Sequence, residues 1–389
     1  MPPLSSSVTD ISAVRAPIAR ANGLPNAHYT DPAVHAEETQ ALLIDQWAGL
    51  AVAAQVPEPG DAQPITFLGI PLLLLRDKDG TVRVFENICR HRGMILVDAP
   101  RRIEGVIRCP YHSWCYATSG ALVSTPHVGG PGQNSHDGID RHELGLNEVR
   151  SHVWRDVVFV NISGTALPFK DAHANVVTRW SEFDQPLFHG GADSTFTLTV
   201  QSNWKLAVEN YCESYHLPWV HPGLNSYSRL EDHYHIEAPD LFSGQGTQVY
   251  RQIQGDTGGT FPDFDGLSAK WDTAAEYISF FPNVLFGVHR DHAYAILLIP
   301  ESQGRTREEV HIYYATPQTD TALRLRNTAQ WKEVFEEDIF VVEGMQRGRN
   351  APGFDGGRFS PVMDGPTHLF HAWVAARMDH HRRQHQAAE

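Results

Sequence analysis

The chain has 389 residues, of which 41% are hydrophobic and 20% charged, and its formal net charge is −15. This length and composition predict a globular protein of two domains. The acidic balance argues against a nucleic-acid-binding surface, which needs clustered Lys and Arg. The apolar runs are strand-sized, so no membrane span is expected. The N-terminus lacks the pattern of a secretory signal, and a cytoplasmic location is therefore expected.

Cysteine and histidine usage points to metal chemistry. The chain has four cysteines, too few for a disulfide framework at this length. They are Cys89, Cys109, Cys115 and Cys212. The 22 histidines are the more informative excess, because His is the commonest protein ligand for metals.

The first predicted elements lead into a small β unit. Residues 1–27 are expected to be an arm that is irregular or drapes over a neighbour, and helical patterning follows over Ala33–Leu50. From Pro64 onward, short β-rich runs alternate with turns, including a hairpin turn at Asp79–Gly80. These runs predict an all-β domain over residues 45–165. Its predicted strands are Ile65–Leu68, Leu72–Leu75, Val82–Phe85, Gly105–Arg108, Trp114–Ala117 and Val153–Asn161.

Beyond residue 165 the pattern becomes mixed. Helical stretches are predicted at Trp204–Tyr215 and Ala322–Arg349. Strand-like stretches lie at Ser194–Val200, Tyr277–Phe281, Tyr294–Leu298 and Val310–Thr316. The alternation predicts an α+β domain over residues 166–389, with an antiparallel sheet surrounded by helices. Residues 1–44 are expected to pack on this domain as an arm and helix.

The first candidate metal site lies in the β domain. Cys89, His91, Cys109 and His112 form the pattern C-x-H, seventeen residues, C-x-x-H, with each half in a turn between β segments. Two Cys and two His satisfy tetrahedral zinc. However, each loop offers one thiolate and one imidazole, which is what a Rieske [2Fe–2S] cluster requires. The pattern favours the cluster over zinc. Cys115, which follows closely, is expected to pack as a small buried hydrophobe.

The second candidate site begins in the predicted helix Asn203–His216, which Pro218 is expected to terminate. Helical spacing places Glu209, Glu213 and His216 on one face. His221 follows five residues after His216 and could return to the same point. Such a pair suits a metal, although capping or core histidines are the better explanation of an isolated H-x₄-H.

A carboxylate on the predicted C-terminal helix strengthens the case for a metal. Asp338 lies within an apolar stripe, and burying an unpaired carboxylate costs several kcal/mol. Glu336 and Glu337 fall off the stripe and are expected to be solvated. With His216 and His221, Asp338 would form a 2-His-1-carboxylate set that holds Fe(II) by one face. A salt bridge between Asp338 and an Arg is the alternative.

At this point the sequence resembles the α subunits of Rieske non-haem iron oxygenases that hydroxylate rings or remove methyl groups. Three motifs carry the resemblance, which extends from about Trp47 to the C-terminal helix. They are C-R-H-R-G at Cys89–Gly93, C-P-Y-H-S-W at Cys109–Trp114, and N-W-K…E-N-Y-C-E-S-Y-H-L-P-W-V-H at Asn203–His221.

The resemblance implies a role for each matching residue. It implies that Cys89 and Cys109 bind one iron of the cluster, and that His91 and His112 bind the other. It also implies that the catalytic iron is held by His216, His221 and Asp338. Glu213 would be the acidic bridge that carries an electron from the Rieske histidine of a neighbouring subunit, in a head-to-tail homotrimer. Ser113 and Cys115 depart from the family pattern, at positions where Gly and Thr are usual.

The resemblance also implies a function. The chain would be a terminal oxygenase that uses O₂ and electrons from NADH, delivered by a separate reductase or ferredoxin. The compact spacing in the third motif is similar to the branch that acts on methylated amines such as choline, betaines or carnitine. An aromatic ring or acid is the alternative substrate. Aromatic residues that could contact a cation are Tyr211, Tyr215, Trp219, Phe280, Phe281 and Tyr294.

Two functions from other classes stay open on the residues alone. A Rieske electron-transfer protein would need only the first site, and it would have no use for His216, His221 and Asp338. A zinc-stabilised binding module would satisfy the Cys and His pattern without redox chemistry.

Overall fold

A computed structural model describes residues 10–256 and 258–386. Residues 1–9 of the predicted arm lie outside this range. The described chain forms two compact units, a smaller one over Leu50–Thr165 and a larger one made of the residues up to Gly49 and from Ala166 onward. Each unit contains an antiparallel sheet, in line with the predicted mixed α and β fold. Among the described helices, none combines the length and apolarity that crossing a bilayer requires.

The smaller unit is all β apart from one 3₁₀ turn. Its strands are β1 (Ala48–Val52), β2 (Asp61–Phe67), β3 (Ile70–Arg76), β4 (Val82–Glu86), β5 (Arg101–Arg102), β6 (Ile107–Arg108), β7 (Cys115–Tyr116), β8 (Leu122–Ser124), β9 (Glu148–Trp154) and β10 (Val157–Asn161). One sheet of seven strands has the order β1-β10-β9-β4-β3-β2-β5, and β6-β7-β8 form a three-stranded sheet. The apolar run in β3 is fully buried, because Leu72 to Leu75 have no exposed surface.

The predicted strand Val153–Asn161 is wrong, because a tight turn divides it. Strands β9 and β10 are the two arms of a hairpin. The turn residues Arg155 and Asp156 both have positive φ, at 50° and 66°. Such a two-residue turn matches the twist of the strands it joins, and the sequence lacks the Asn-Gly or Asp-Gly that would have marked it.

The larger unit is built on an eight-stranded sheet with the order β11-β18-β17-β16-β15-β14-β13, with β12 also paired to β18. The strands are β11 (Phe188–His189), β12 (Thr195–Val200), β13 (His233–Ala238), β14 (Phe242–Thr247), β15 (Ala275–Phe280), β16 (Val284–Val288), β17 (His292–Ser302) and β18 (Arg305–Tyr314). All the paired strands are antiparallel, as predicted.

Helices and short helical turns make up the rest of the secondary structure that is described in the two units. The α-helices are α1 (Ala27–Thr30), α2 (Pro32–Glu38), α3 (Phe169–Ala172), α4 (Ala174–Arg179), α5 (Trp204–Tyr211), α6 (Leu217–Val220), α7 (Pro222–Asn225), α8 (Thr321–Glu337), α9 (Ile339–Gly348) and α10 (Gly365–Gln386). A π-helical turn covers Thr39–Ile44, and 3₁₀ turns cover Ser12–Arg15, Ala53–Gln55, Ser181–Phe183, Gly191–Ser194, Leu230–Asp232 and Ala269–Asp272. The predicted helix Ala33–Leu50 therefore ends early, since its last residues belong to β1.

Two buried carboxylates near α5 are paired with cations. Lys205 Nζ lies 2.6 Å from Glu38 Oε2, which ties α5 to the N-terminal helix α2. Glu209 lies 3.5 Å from an Arg349 guanidinium nitrogen. Glu209 therefore does not share a site with His216, as the predicted helical face suggested. Burial opposes ionisation, but the nearby cations hold the pKa of Glu209 down at about 2.

Candidate metal centres

The two loops that carry the predicted cluster ligands, Cys89–Gly93 and Cys109–Ser113, contain the same backbone turn. In the first loop the Gly93 N–H donates to the Cys89 carbonyl oxygen at 2.9 Å, and in the second the Ser113 N–H donates to the Cys109 carbonyl oxygen at 3.1 Å. Gly93 has φ of 72° and Ser113 has φ of 58°. A left-handed conformation suits Gly and strains Ser. The second loop therefore adopts the shape of the first despite an unfavourable residue.

The four predicted donors lie together at these loops. Cys89 and Cys109 are buried, with 2% and 1% of their surface exposed, whereas His91 is exposed. Burial raises the pKa of the Cys89 thiol, and the neighbouring Cys109 thiol acts in the same direction. The His91 and His112 ring centroids are 4.7 Å apart. His112 Nδ1 is buried and has no hydrogen-bond partner among the described residues. Two buried thiols, two outer imidazoles and an unsatisfied ring nitrogen fit a Cys₂His₂ cluster.

A tyrosine hydroxyl supports the buried thiol. The Tyr116 oxygen accepts a hydrogen bond from the Arg90 backbone N–H at 3.0 Å, and it lies 3.2 Å from Cys89 Sγ. Its own proton is then free to point at the sulfur, and such hydrogen bonds tune cluster potentials. Cys115 is buried, as expected, and its thiol donates to the Ser113 carbonyl oxygen at 3.2 Å.

In the larger unit, His216, His221 and Asp338 converge on one point. One ligand atom from each lies within 4.8 Å of the other two. His221 Nε2 is 3.0 Å from Asp338 Oδ1, and His216 Nε2 is 3.7 Å from the same oxygen. Yet Asp338 Oδ1 is buried and accepts no hydrogen bond from the described residues. Two imidazole nitrogens that face a carboxylate oxygen without bonding to it fit a common cation.

Each histidine is oriented by a carboxylate on its far side. Glu213 Oε1 is 2.6 Å from His216 Nδ1, and Glu337 Oε2 is 2.7 Å from His221 Nδ1. These contacts place the proton on Nδ1 and leave each Nε2 lone pair for a metal. The expectation that Glu337 is solvated is therefore wrong. Its helix turns it toward His221, a contact that spacing along the chain could not reveal.

The local path through this site differs from the predicted helix. Helix α5 ends at Tyr211, and Glu213 lies in the loop that follows. The Glu213 side chain accepts a hydrogen bond from the His216 backbone N–H at 3.3 Å, so the loop folds around it. Pro218 does not terminate a helix, since it lies at the start of α6. The hydrogen bond between the Glu213 side chain and the backbone of this loop replaces the helical hydrogen bonding that the sequence pattern predicted.

Asp338 also occupies a different local position from the one predicted. The expected helix Ala322–Arg349 is two helices, and Asp338 is the junction residue between α8 and α9. Its carbonyl oxygen accepts from the backbone N–H groups of Val341 and Val342. The break sets the carboxylate at a helix N-terminus, where a negative charge is favoured.

Two of the cavities in the larger unit bear on the candidate site. The first includes Asp338 in its wall. Its lining is Val200, Ala207, Asn210, Tyr211, Leu285, Ile296, Glu308, Phe335, Asp338, Ile339 and Val342. The second is rich in aromatic residues, including Tyr227, Tyr250, Tyr277, His292 and Trp331. Because only the first has a candidate metal ligand in its wall, it is the better substrate site.

The predicted pocket aromatics fall into different environments. Tyr211 lines the first cavity, and its hydroxyl lies 3.1 Å from that of Tyr294. Tyr215 and Trp219 are 43% and 71% exposed, and they line neither cavity. Phe281 packs against Phe370 and Trp373 in the core. Phe280 packs on His173 and Phe286.

Sequence reasoning missed Glu308, the other acid in the first cavity. Burial raises the pKa of Glu308 to about 7, and the charge of Asp338 acts in the same direction. The strand alternation Thr306, Glu308, Val310 could have identified it as inward-facing. However, Glu308 is followed directly by Glu309, and two adjacent glutamates in a sequence are typical of an exposed surface.

Comparison with known proteins gives the chain its family. Residues 46–137 match the family described as "Rieske [2Fe-2S] domain", and residues 190–380 match "Ring hydroxylating alpha subunit (catalytic domain)". Choline monooxygenase of Arabidopsis thaliana is 26% identical, over 94% of this chain and 86% of that protein. The carnitine monooxygenase oxygenase subunit of Acinetobacter pittii is 24% identical, over 85% of this chain and 86% of its own length.

The fold has solved counterparts. A crystal structure of the quaternary ammonium Rieske monooxygenase CntA, with an inhibitor, superposes with a TM-score of 0.76 at 22% identity, over 94% of this chain and 98% of that one. Both domain matches occur in the order that the two candidate centres take along the chain. The chain therefore belongs to the Rieske non-haem iron oxygenases, as an oxygenase subunit that combines a [2Fe–2S] domain with a mononuclear-iron catalytic domain.

Proposed function

We propose that this chain is the terminal oxygenase component of a system that hydroxylates or N-demethylates a small methylated amine. The observation that carries this proposal is the first cavity, which has Asp338 in its wall and is lined mostly by apolar side chains. Such a wall suits the methyl groups of a small substrate. Kinship with choline and carnitine monooxygenases supports the same substrate class.

The reaction that fits this class consumes one O₂, two electrons and two protons. One oxygen atom is inserted into a C–H bond of the substrate to give C–OH, and the other leaves as water. When the carbon belongs to an N-methyl or N-methylene group, the hydroxylated product loses its O–H proton and breaks its C–N bond. An aldehyde and a less substituted amine result. Iron held at the three-residue set would supply O₂ activation.

We assign the metal-binding residues as follows. Cys89 and Cys109 would hold one iron of the cluster, and His91 and His112 the other. His216, His221 and Asp338 would hold the mononuclear iron, with open positions toward the first cavity. The two supporting carboxylates keep the histidines in the correct tautomer, and the apolar cavity wall excludes water from the reacting carbon.

Electron delivery completes the proposal. A separate NAD(P)H-dependent reductase or a ferredoxin would reduce the cluster, and Glu213 would connect His216 to the cluster histidine of a neighbouring subunit in a homotrimer. The 2.6 Å contact between Glu213 Oε1 and His216 Nδ1 supports this role, because it joins Glu213 to a proposed ligand of the mononuclear iron. A cytoplasmic location stays a prediction.

A single-turnover experiment tests the function without the natural donor. The cluster of iron-replete protein is reduced with dithionite, the excess reductant is removed, and O₂ is added with choline, glycine betaine, carnitine or benzoate. We expect product in stoichiometric amounts from at least one methylated amine and none from benzoate. Turnover of benzoate alone would establish the aromatic alternative. Cluster oxidation without product from any of the four would contradict the proposal.

A further inference from the structure

The first cavity contains an acid that the iron site does not use. Glu308 lies on β18 and is 9% exposed, and it points to the side of the sheet that carries the cavity. Its cross-strand neighbours are Leu198 on β12 and Leu298 on β17. The carboxylate is therefore set among hydrocarbon, where an isolated charge is costly.

Glu308 differs from the other buried glutamates in having no partner. Among the residues that the structure describes, none donates a hydrogen bond to its carboxylate and none forms an ion pair with it, and the charge that acts on it is the like charge of Asp338. The matched cases each have a cation within reach: Glu38 with Lys205, Glu209 with Arg349, and Glu276 with Arg179. Natural proteins seldom leave a buried carboxylate without compensation, so the missing cation is expected in a ligand.

We propose that the Glu308 carboxylate binds the quaternary ammonium group of the substrate within the first cavity. This inference rests on the proposed function and deepens it, because it names the substrate charge and the residue that selects it. A trimethylammonium group needs no hydrogen-bond acceptors, so one carboxylate within an apolar wall suits it better than it suits a primary amine. The wall includes Leu285, Ile296 and Phe335, which can contact the methyl groups.

The position of Glu308 also orients the ligand. Asp338 belongs to the same cavity wall, so a cation held at Glu308 leaves the rest of a small substrate within the space that adjoins the candidate iron site. The carbon exposed to oxidation would then be set by the distance between the cationic group and the metal. Charge recognition and the choice of the reacting carbon would depend on the same residue.

The test compares two probes of the same shape and different charge. They are choline and its neutral isostere 3,3-dimethylbutan-1-ol, and their binding to the iron-loaded protein is measured by calorimetry. In Glu308→Gln we expect choline to bind roughly 30-fold or more weakly, the loss typical of removing one partner of a buried charge pair. The neutral isostere should bind as well as before, or better. In turnover, KM for a quaternary amine should rise more than kcat falls.

Glu309→Gln is the matched control. Glu309 is the next residue on the same strand, is less buried, and forms an ion pair with Arg307. We expect this variant to bind both probes like the wild type. Equal melting temperature and iron content in the two variants would exclude misfolding as the cause of a difference.

Three results would overturn the inference. They are unchanged choline affinity in Glu308→Gln, failure of the wild type to bind choline at all, and loss of choline binding in Trp331→Leu alone. The last result would place the cation in the second, aromatic cavity. The proposed function is judged separately, by product formation: cation binding that depends on Glu308 without turnover of any methylated amine would contradict the function and leave the binding site established.

Discussion

The two candidate metal centres are assembled in different ways. The cluster site takes its four donors from two short loops of one small unit, and each loop carries its own turn hydrogen bond. The mononuclear site takes two histidines from the segment around α6 and an aspartate from the junction of α8 and α9, more than a hundred residues later. The first is a local structure repeated twice, whereas the second exists only when the larger unit is folded.

This difference predicts how the two sites respond to change. A ligand of the cluster site is held by its own turn, so damage elsewhere should leave it intact. A ligand of the mononuclear site depends on carboxylates and on helix packing, so changes that never touch the metal should still affect it. The following experiments are chosen to break or sharpen that contrast.

The largest effect is expected from Asp338→Ala. The protein should lose its mononuclear iron and all turnover, because two neutral histidines alone hold Fe(II) weakly. The visible absorption and reduced-state spin resonance of the cluster should be unchanged, since its proposed ligands lie in the other unit. Metal analysis and both spectra check this.

Glu336→Ala is the control for the aspartate. This residue belongs to the same helix, α8, but is exposed and lies 3.7 Å from Lys332. It should keep full iron and activity. Retention of both by Asp338→Ala as well would mean that another carboxylate is the ligand.

A smaller but still large effect is expected from Glu213→Gln. The variant should bind both metals and accept an electron at the cluster, yet turnover should fall by about two orders of magnitude, because the path from the cluster to His216 is interrupted. Pre-reduced protein, mixed with O₂ and substrate, provides the measurement. Cluster reoxidation at the wild-type rate would rule out the bridge.

Glu337→Gln separates the bridge from simple support of a histidine. Glu337 contacts His221 Nδ1 at 2.7 Å, much as Glu213 contacts His216. Losing this carboxylate should weaken iron binding by about 10- to 100-fold, without slowing cluster reoxidation once iron is saturating. If Glu337→Gln slowed reoxidation as much as Glu213→Gln, both would be positioning residues and neither a specific electron path.

The same contrast explains what the sequence could predict. The Cys and His pairs could be proposed from the sequence because the candidate ligands and turn residues lie within a few positions of each other. The histidines of the second candidate site could be proposed for the same reason. Glu337 and Glu308 were not, because the first is positioned by helix packing and the second by the register of β18 between β12 and β17. Tertiary contacts of this kind cannot be predicted from the spacing of residues along the sequence.

The positions at which helices end were also predicted incorrectly from the sequence. Periodicity predicted one helix through Glu213 and another through Asp338, whereas the structure ends α5 at Tyr211 and breaks the second helix at Asp338. Both departures occur at candidate site residues. If these carboxylates serve the proposed site, the positions that they must take compete with the regular helix, and the local sequence pattern does not show that competition.

The smallest predicted effect tests the twin turns of the cluster loops. Ser113 has φ of 58° where the first loop has Gly93 at 72°. A non-glycine residue in this region costs about 1 kcal/mol, so Ser113→Gly should stabilise the small unit by up to about that amount. The reference change is Gly93→Ser. It should destabilise the first loop by a similar amount through its backbone conformation alone, because no atom lies within 4 Å of the added Cβ and no clash contributes.

Thermal unfolding followed by the visible absorption of the cluster measures both variants. Opposite shifts of similar size in the melting temperatures of the two variants would mean that the loops differ in stability through backbone conformation alone. A loss of stability in Ser113→Gly would instead mean that the serine side chain contributes to the cluster site, and that the two loops differ in more than their backbone strain.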